Sequence, residues 1–208
     1  WEVVSIVSAG TNIVAYLSRE SDGSAVDTTA ADTTVEEPTT ETVVEEVPPE
    51  ENTSPPLDET VVAIGTASLD IWLASSADDT DLEVTISEVG ADGSETYVQS
   101  GWLRAGQRAL DEAASTEVAP AYTNLESDAA PLPPETFTPM RIAVFPFAHV
   151  FRAGSSIRVT VDAPGGARPI WAFDTTIAAG ETNEVAHDAE RPSSLVLSVV
   201  SGVDVPAE

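Results

Sequence analysis

The sequence predicts an all-β protein, an antiparallel β-sandwich of jelly-roll topology that carries a long acidic loop. Short runs of alternating apolar and polar residues recur along the chain, as in Leu82–Val89. This period of two is typical of strands that bury one face. No stretch keeps a helical period. Long connections between the runs favour strands that cross between two sheets over a simple meander.

Composition divides the chain into three parts. Residues 1–19 contain two β-rich apolar clusters, Val3–Val7 and Ile13–Leu17, and are predicted to form the initial strands of the β-domain. Residues 20–59 are rich in Thr, Glu and Pro and bury too little apolar surface to offset the entropy cost of ordering. They are predicted to form a disordered or extended acidic loop. Residues 60–208 are predicted to form the body of the sandwich.

The predicted strands of the body follow one another at short intervals. Asp92-Gly93 supplies a hairpin turn between two of them, since Asp and Gly tolerate the positive φ that such turns need. Residues 105–139 lack periodicity and hold five prolines, so we expect a long crossover loop with one helical turn around Arg108–Ala114. The predicted strands are Ser68–Ala74, Leu82–Val89, Thr96–Arg104, Arg141–Val150, Ser156–Asp162, Ile170–Asp174, Glu181–His187 and Ser194–Val200.

The chain is strongly acidic. It has 8 basic residues, all of them arginine, against 36 acidic residues, a formal net charge of −28. This balance argues against nucleic acid as a partner, because phosphate binding needs basic patches. No apolar run approaches the roughly 20 residues that span a bilayer, so we expect no membrane insertion. Salt screens the repulsion between like charges, which favours a high-salt environment over a merely very soluble acidic domain. We expect an extracellular or cell-surface location.

The sequence contains no catalytic motif. A serine hydrolase needs a nucleophile on a tight turn, yet the chain has no G-x-S-x-G sequence. His187 and Asp188 are adjacent, and neighbouring residues of a strand point to opposite faces, which argues against a base paired with its orienting acid. With no cysteine and two histidines, the chain offers no cysteine nucleophile and no zinc-ligand spacing. We therefore predict no catalytic residue and no cofactor.

Three features have a binding interpretation beside a structural one. Asp78-Asp79-Thr80-Asp81 places three carboxylates in one loop, which suits calcium, although a solvated acidic turn is the favoured interpretation. His149, flanked by aromatic residues, is interpreted as a hydrogen-bonded histidine at the rim of the core and not as a metal ligand. Aromatic residues would form a sugar-binding platform if exposed and would otherwise pack in the core. They are Trp72, Tyr97, Trp102, Tyr122 and Trp171.

Four blocks of sequence, taken in order, carry a resemblance to a known family. They are Gly65–Leu73, Ser100–Arg104 with Arg108, Ala148–Gly154, and His187-Asp188 with Pro192-Ser193. Together they resemble the C-terminal jelly-roll domain that follows the α/β-hydrolase domain in X-prolyl dipeptidyl-peptidases and cocaine-esterase-like acyl esterases. The resemblance implies a galactose-binding-like jelly roll that packs on the hydrolase domain of the same polypeptide and shapes its active-site surroundings. It also implies that the catalytic serine, acid and histidine belong to that preceding domain.

The arginines are the scarce cations of an anionic chain. We predict that some of them form buried or interdomain ion pairs, since a planar guanidinium satisfies carboxylates and carbonyls well. The candidates for interface or structural roles are Trp102, Arg104, Arg108, His149, Arg152, Arg158, Trp171, His187 and Asp188. The leading hypothesis is a non-catalytic C-terminal module of a serine hydrolase that acts on X-prolyl peptides or acyl esters. A carbohydrate-binding jelly roll and a structural surface or assembly domain are the alternatives, and homo-oligomer formation stays open.

Overall fold

The strands of the protein form two packed antiparallel sheets, which confirms the predicted all-β sandwich. The computed structural model describes residues 2–9, 12–18, 50–165, 180–186 and 188–206. Single-turn 3₁₀ helices lie at Ala105–Gln107 and Glu126–Asp128. The strands are β1 (Glu2–Ala9), β2 (Asn12–Ser18), β3 (Glu50–Thr53), β4 (Val61–Ser75), β5 (Asp81–Val89), β6 (Glu95–Arg104), β7 (Thr138–Phe151), β8 (Ser156–Asp162), β9 (Asn183–Val185) and β10 (Ser193–Val199).

The strand order shows how the chain passes between the sheets. The larger sheet has the order β1-β2-β10-β4-β7, with β9 also paired to β4, and the smaller sheet has the order β3-β8-β5-β6. Strands β1 and β2 pair as neighbours in the chain, and so do β5 and β6. The connections β3–β4, β4–β5, β6–β7 and β7–β8 cross from one sheet to the other. Such crossings are the feature on which the predicted jelly-roll topology depends.

The core lies between the inner faces of the two sheets. In β5, the inward residues Leu82, Val84 and Ile86 are buried, as the alternation predicted. Burying a side chain of this size contributes about 1.5–3 kcal/mol, so the strand pattern directly specifies the core. The largest fully buried side chains include Phe151, Leu69, Leu73, Ile86, Met140, Ile142 and Leu195.

Strand β4 begins at Val61, well before the predicted strand Ser68–Ala74. Its pairing with β7 shifts register between Gly65 and Ala67, which is a β-bulge. Gly65 has a φ of 133°, a conformation that side-chain-bearing residues rarely adopt, so glycine lets one strand continue through the irregularity. The bulge changes which residues of the neighbouring strand face outward.

The end of the predicted acidic loop belongs to the folded body. Glu50–Thr53 forms β3 and pairs with β8, and both Ser54 and Leu57 are buried. The Ser54 amide donates to Ile157 O at 2.8 Å. The body therefore starts earlier than predicted, because these two buried residues anchor a segment whose composition is otherwise that of a loop. Residues 20–49 lie outside the described residues.

The connection between β6 and β7, residues 105–137, is a long crossover, as predicted. The helical turn expected around Arg108–Ala114 is a single turn in which the Ser115 amide donates to Asp111 O at 2.9 Å. In the described residues, no helix is long and apolar enough to cross a membrane. The predicted strand Ile170–Asp174 lies outside the described residues.

Candidate functional site

The outer face of the larger sheet is divided into two halves. Over the half around Ser68 lies the β6–β7 connection, residues 105–137, which we call the excursion. Ser68 has no exposed surface, although it sits between core residues and points away from the core, and its hydroxyl donates to Glu117 O at 2.6 Å. Its register partner Val196 on β10 is also buried. We call this part of the sheet the covered half.

Tyr122 of the excursion satisfies the free edge of β7. Its hydroxyl donates to Arg141 O at 2.9 Å and accepts a hydrogen bond from the Ala143 amide at 2.9 Å. Burial and the nearby charge of Asp70 raise the pKa of Tyr122, while the bond from Ala143 lowers it, so the hydroxyl stays protonated and can donate. Unpaired edge groups are a template for unwanted strand pairing. Tyr122 therefore closes this edge of the sheet with a side chain.

The two sheets meet at a seam between β6 and β7. A Cβ atom on Gly101 would lie 1.9 Å from Ala143 O, so the two backbones approach closely only because this residue is glycine. Trp102, the next residue of β6, packs against Phe145 of β7 with ring centroids 5.3 Å apart. The seam gives Trp102 a packing partner on the outside of the molecule.

The other half of the outer face is apolar and exposed. Ile64 of β4 and Phe145 of β7 are each 52% exposed, and Val200 is 39% exposed. Ala148 lies directly opposite Ile64 in register, and Val150 lies opposite Val62. No charged residue belongs to this group in a chain whose net charge is −28. We call it the apolar face, and it consists of the exposed or partly exposed residues Ile64, Phe145, Ala148, Val150 and Val200 together with Val62, which is only 8% exposed.

A groove of about 670 Å³ is lined by four residues of the apolar face and by polar residues that include Glu88, His149 and Arg152. His149 Nε2 lies 2.7 Å from Glu88 Oε2. Glu88 Oε1 accepts hydrogen bonds from Ser155 Oγ at 2.6 Å and from the Arg152 amide at 2.8 Å. Burial raises the pKa of Glu88, but these bonds from Ser155, Arg152 and His149 outweigh it and hold that pKa below the usual 4.5. Glu88 thereby fastens the β7–β8 turn to β5.

Two of the arginines that the sequence singled out form ion pairs. Arg104 donates from Nε and Nη2 to the two carboxylate oxygens of Asp81 at 2.8 and 3.2 Å. Arg158 Nη1 lies 2.6 Å from a carboxylate oxygen of Glu95. The bidentate geometry of the Arg104–Asp81 pair fixes the relative orientation of the two side chains in addition to pairing their charges. The first pair links the neighbouring strands β5 and β6, and the second links β8 to β6 across the strand that lies between them.

The other two arginines hold carbonyl groups. Arg108 Nη1 donates to Ala105 O at 3.0 Å and to Ala130 O at 2.7 Å, so it ties two parts of the excursion together. Arg152 Nη1 donates to Pro206 O at 2.8 Å. Interdomain pairing of these arginines stays a prediction.

Sequence reasoning missed two further arginines. Arg141 forms a bidentate pair with Asp70 across β7 and β4, at 2.7 and 2.9 Å. Arg191 binds Asp188 at 2.6 Å and lies over the ring of Phe137 at 4.2 Å. The register of Asp70 opposite Arg141 was the signal, but it requires knowing that two strands 71 positions apart are neighbours.

The carboxylates of the loop Asp78–Asp81 bind other groups of this chain. Asp79 Oδ1 accepts hydrogen bonds from the Gly106 amide at 2.6 Å and the Thr80 amide at 3.0 Å, and Asp81 binds Arg104. Within the described part of the chain, no group of three or more His, Cys, Asp or Glu side chains converges as for a metal. The loop Asp78–Asp81 therefore serves to anchor the start of the excursion.

The described residues give no support to hydrolytic chemistry around Asp188. Its carboxylate binds Arg191 and caps the turn that follows, because Oδ1 accepts from the Glu190 amide at 3.0 Å. Ser193 is 2% exposed, so a substrate has no access to its hydroxyl. His187 and Trp171 lie outside the described residues.

Comparison with protein families decides the classification of this sandwich. The family described as the X-Pro dipeptidyl-peptidase C-terminal non-catalytic domain matches residues 15–196, most of the chain. The chain belongs to this family. The resemblance that the four sequence blocks carry is thereby confirmed for the X-Pro dipeptidyl-peptidase C-terminal domain. No curated protein sequence gives a significant match.

Solved structures share the fold of this X-Pro dipeptidyl-peptidase C-terminal domain. A CocE/NonD family hydrolase from Staphylococcus aureus is 21% identical with a TM-score of 0.63, and the match covers 73% of this chain and 30% of the hydrolase. An aminopeptidase from a marine sediment archaeon, Thaumarchaeota archaeon, is 20% identical with a TM-score of 0.54, covering 73% and 25%. An α-amino acid ester hydrolase is 18% identical with a TM-score of 0.53, covering 72% and 25%. The chain thus spans less than a third of the length of these proteins.

Proposed function

We propose that this chain is the non-catalytic β-sandwich module of a serine hydrolase of the X-prolyl dipeptidyl-peptidase or acyl-esterase type. In this role it packs on the α/β-hydrolase domain of the same polypeptide and limits substrate access to the active site. The match of a non-catalytic domain family to residues 15–196 carries the proposal. Matches that take up 30% or less of the similar hydrolases support it, since most of each of those chains lies elsewhere.

The polar groups of the described residues support an indirect mechanism. Ser193 and Ser155 are both buried, with 2% and 4% of their surface exposed, and the Ser155 hydroxyl donates to Glu88. A module of this kind acts by excluding water and by fixing the walls of the active site, both of which strengthen electrostatic catalysis in the neighbouring domain. It contributes no group to the bonds that form and break.

Carbohydrate binding is the second candidate, favoured by a groove of about 490 Å³ beside the covered half. Trp72 lines it together with Asp70, Arg141, Arg108 and Glu112. An aromatic ring beside planar hydrogen-bonding groups suits a sugar, because the ring packs on its C–H face. A glycan array probed with the wild type and with Trp72→Ala tests this candidate, and binding that Trp72→Ala does not weaken would rule out this groove.

The proposed function is tested on the natural polypeptide that contains this chain. We would determine its intact mass and the sequence upstream of Trp1, and measure hydrolysis of an X-Pro-nitroanilide and a nitrophenyl ester. We expect a hydrolase domain with a G-x-S-x-G sequence, activity in that polypeptide, and none in this chain alone. Hydrolysis by the chain alone that disappears in Ser193→Ala or His187→Ala would overturn the proposal. So would a natural polypeptide that lacks a hydrolase domain.

A further inference from the structure

We infer that the apolar face is the surface on which this module docks against the hydrolase domain, an inference that rests on the proposed function. Five of its six residues lie on the paired strands β4 and β7, toward the Val61 end of β4 and the Phe151 end of β7. The sixth, Val200, directly follows β10, and its amide donates to Val62 O at 2.9 Å. Contiguous exposed apolar groups on a folded protein mark contact surfaces. The same group would otherwise be an aggregation hazard.

The composition of the apolar face is unlike the rest of the molecule. The six members of the face carry no charge, and the charged residues that line the groove with them, Glu88 and Arg152, are already bonded within this chain. The core of a protein interface is depleted of charged residues in the same way, and aromatic residues are enriched there. Phe145, with the Trp102 ring packed against it across the seam at an interplanar angle of 51°, supplies such an aromatic anchor.

The covered half shows what the protein does with the same sheet surface elsewhere. There the excursion lies on the strands and is held by Ser68 and by Tyr122. Beyond the bulge the outward residues change from the polar Ser68 and Asp70 to the apolar Ile64 and Val62. The covered half has polar and apolar outward residues, such as Ser68 and Val196, whereas the outward residues of β4 beyond the bulge are apolar.

Charge and chain length favour a hydrolase domain of the same polypeptide over a second copy as the occupant. Two copies that each carry a net charge of −28 repel each other. A domain joined by a linker approaches at a high effective concentration and needs no bimolecular encounter. The match covers only 30% and 25% of two similar hydrolases, so 70% or more of each of them lies outside it.

The test uses the absence of cysteine from this chain. Ile64→Cys and Leu125→Cys place single thiols at two aliphatic positions that are 52% and 55% exposed. Leu125 belongs to the excursion and not to the apolar face, so it is a matched control. The rate of maleimide labelling is measured for each variant in this chain alone and in the natural polypeptide. Peptide mass spectrometry identifies the labelled site, and labelling in urea corrects for intrinsic thiol reactivity.

We expect Ile64→Cys to react about tenfold or more slowly in the natural polypeptide than in this chain alone, since reaction then requires the interface to open. Leu125→Cys is expected to react at the same rate in both. Equal rates for Ile64→Cys, slowed labelling of Leu125→Cys instead, or slow labelling of Ile64→Cys in this chain alone would each overturn the inference. A natural polypeptide without a hydrolase domain would instead overturn the proposed function.

A second pair of variants tests the same surface through stability. Ile64→Asp is expected to lower the unfolding temperature of the natural polypeptide and to leave that of this chain alone unchanged, because it buries a charge only when the domains are docked. Leu125→Asp is expected to change neither temperature. An unchanged unfolding temperature for the natural polypeptide with Ile64→Asp would contradict the inference.

Discussion

The covered half and the apolar face occupy the same side of the same sheet, yet they differ in what completes them. In the covered half, hydrogen bonds from Ser68 and Tyr122 join the sheet to the excursion. In the apolar face, Ile64 and Phe145 each stay 52% exposed. A β-strand pattern states which residues face outward but not what covers them. The contrast teaches that alternation alone does not distinguish an outward residue that the excursion covers, such as Ser68, from one that stays exposed, such as Ile64.

The largest effect is expected at the seam, which positions both halves. Gly101→Ala places a Cβ atom 1.9 Å from Ala143 O, so β6 and β7 must separate, and we expect a loss of about 3 kcal/mol in unfolding free energy. Gly93→Ala is the control, since it meets no atom within 4 Å but has a φ of 81°, and should cost about 1 kcal/mol. Urea unfolding measures both. Equal losses would show that the seam tolerates a side chain.

The second-largest effect is expected in the covered half, where Tyr122 binds the edge of β7. Tyr122→Phe leaves Arg141 O and the Ala143 amide without their partner, and we expect it to cost about 2 kcal/mol. Tyr97→Phe, whose hydroxyl binds the Gln99 side chain at 3.1 Å, is expected to cost less than about 1 kcal/mol. Chemical denaturation of the two variants decides whether the edge of β7 depends on Tyr122. A loss no larger than that of Tyr97→Phe would contradict it.

The stability that Glu88 contributes through its bonds to Ser155, Arg152 and His149 is expected to depend on pH. Hydrogen bonds hold the pKa of Glu88 below 4.5, so its contribution to stability is full above that value. The contribution disappears as the pH falls through the lower pKa of the folded state. Glu88→Gln is expected to lower the unfolding free energy by about 1–2 kcal/mol at pH 7. Denaturation curves recorded from pH 7 to pH 2 should show the difference between wild type and variant shrinking below pH 4.5. A difference that does not change with pH would show that the ionised Glu88 carboxylate does not stabilise the fold through these bonds.

The smallest effect is expected within the apolar face itself. In this chain alone, Ile64→Ala should change the unfolding free energy by less than about 0.5 kcal/mol, because the side chain is half exposed. Ile71→Ala, on the same strand but 3% exposed, should cost about 3 kcal/mol. Thermal and urea unfolding compare the two isoleucines directly. A large loss at Ile64 would mean that this chain buries the face by itself.

Local patterns explain what the sequence could predict. Leu82, Val84 and Ile86 revealed their buried face through simple alternation, and Asp92-Gly93 revealed the hairpin turn, in which the Ser94 amide donates to Asp92 Oδ1 at 2.9 Å. These features depend on neighbours in the chain. The four blocks of resemblance identified the family for the same reason, since each is a short continuous segment.

Long-range contacts explain what the sequence could not predict. Glu88 binds a histidine and a turn that lie more than 60 positions away, and nothing near Glu88 indicates this. Composition assigned β3 to the acidic loop because its pairing with β8 is even more distant in sequence, as for Thr53 and Arg158. The apolar face was missed because the bulge at Gly65 decides which residues of β7 face outward. Sequence periodicity does not locate such a bulge.

The most direct test of the contrast between the two halves is amide hydrogen exchange, compared between this chain alone and the natural polypeptide that contains it. Strand β7 is at the edge of the larger sheet, so its amides report what covers them. Peptides over Phe145–Val150 are expected to exchange more slowly in the natural polypeptide, and peptides over Ser68–Leu73 are expected to exchange equally in both. Unchanged exchange at Phe145–Val150, or slowed exchange at Ser68–Leu73 alone, would contradict the docking of the apolar face.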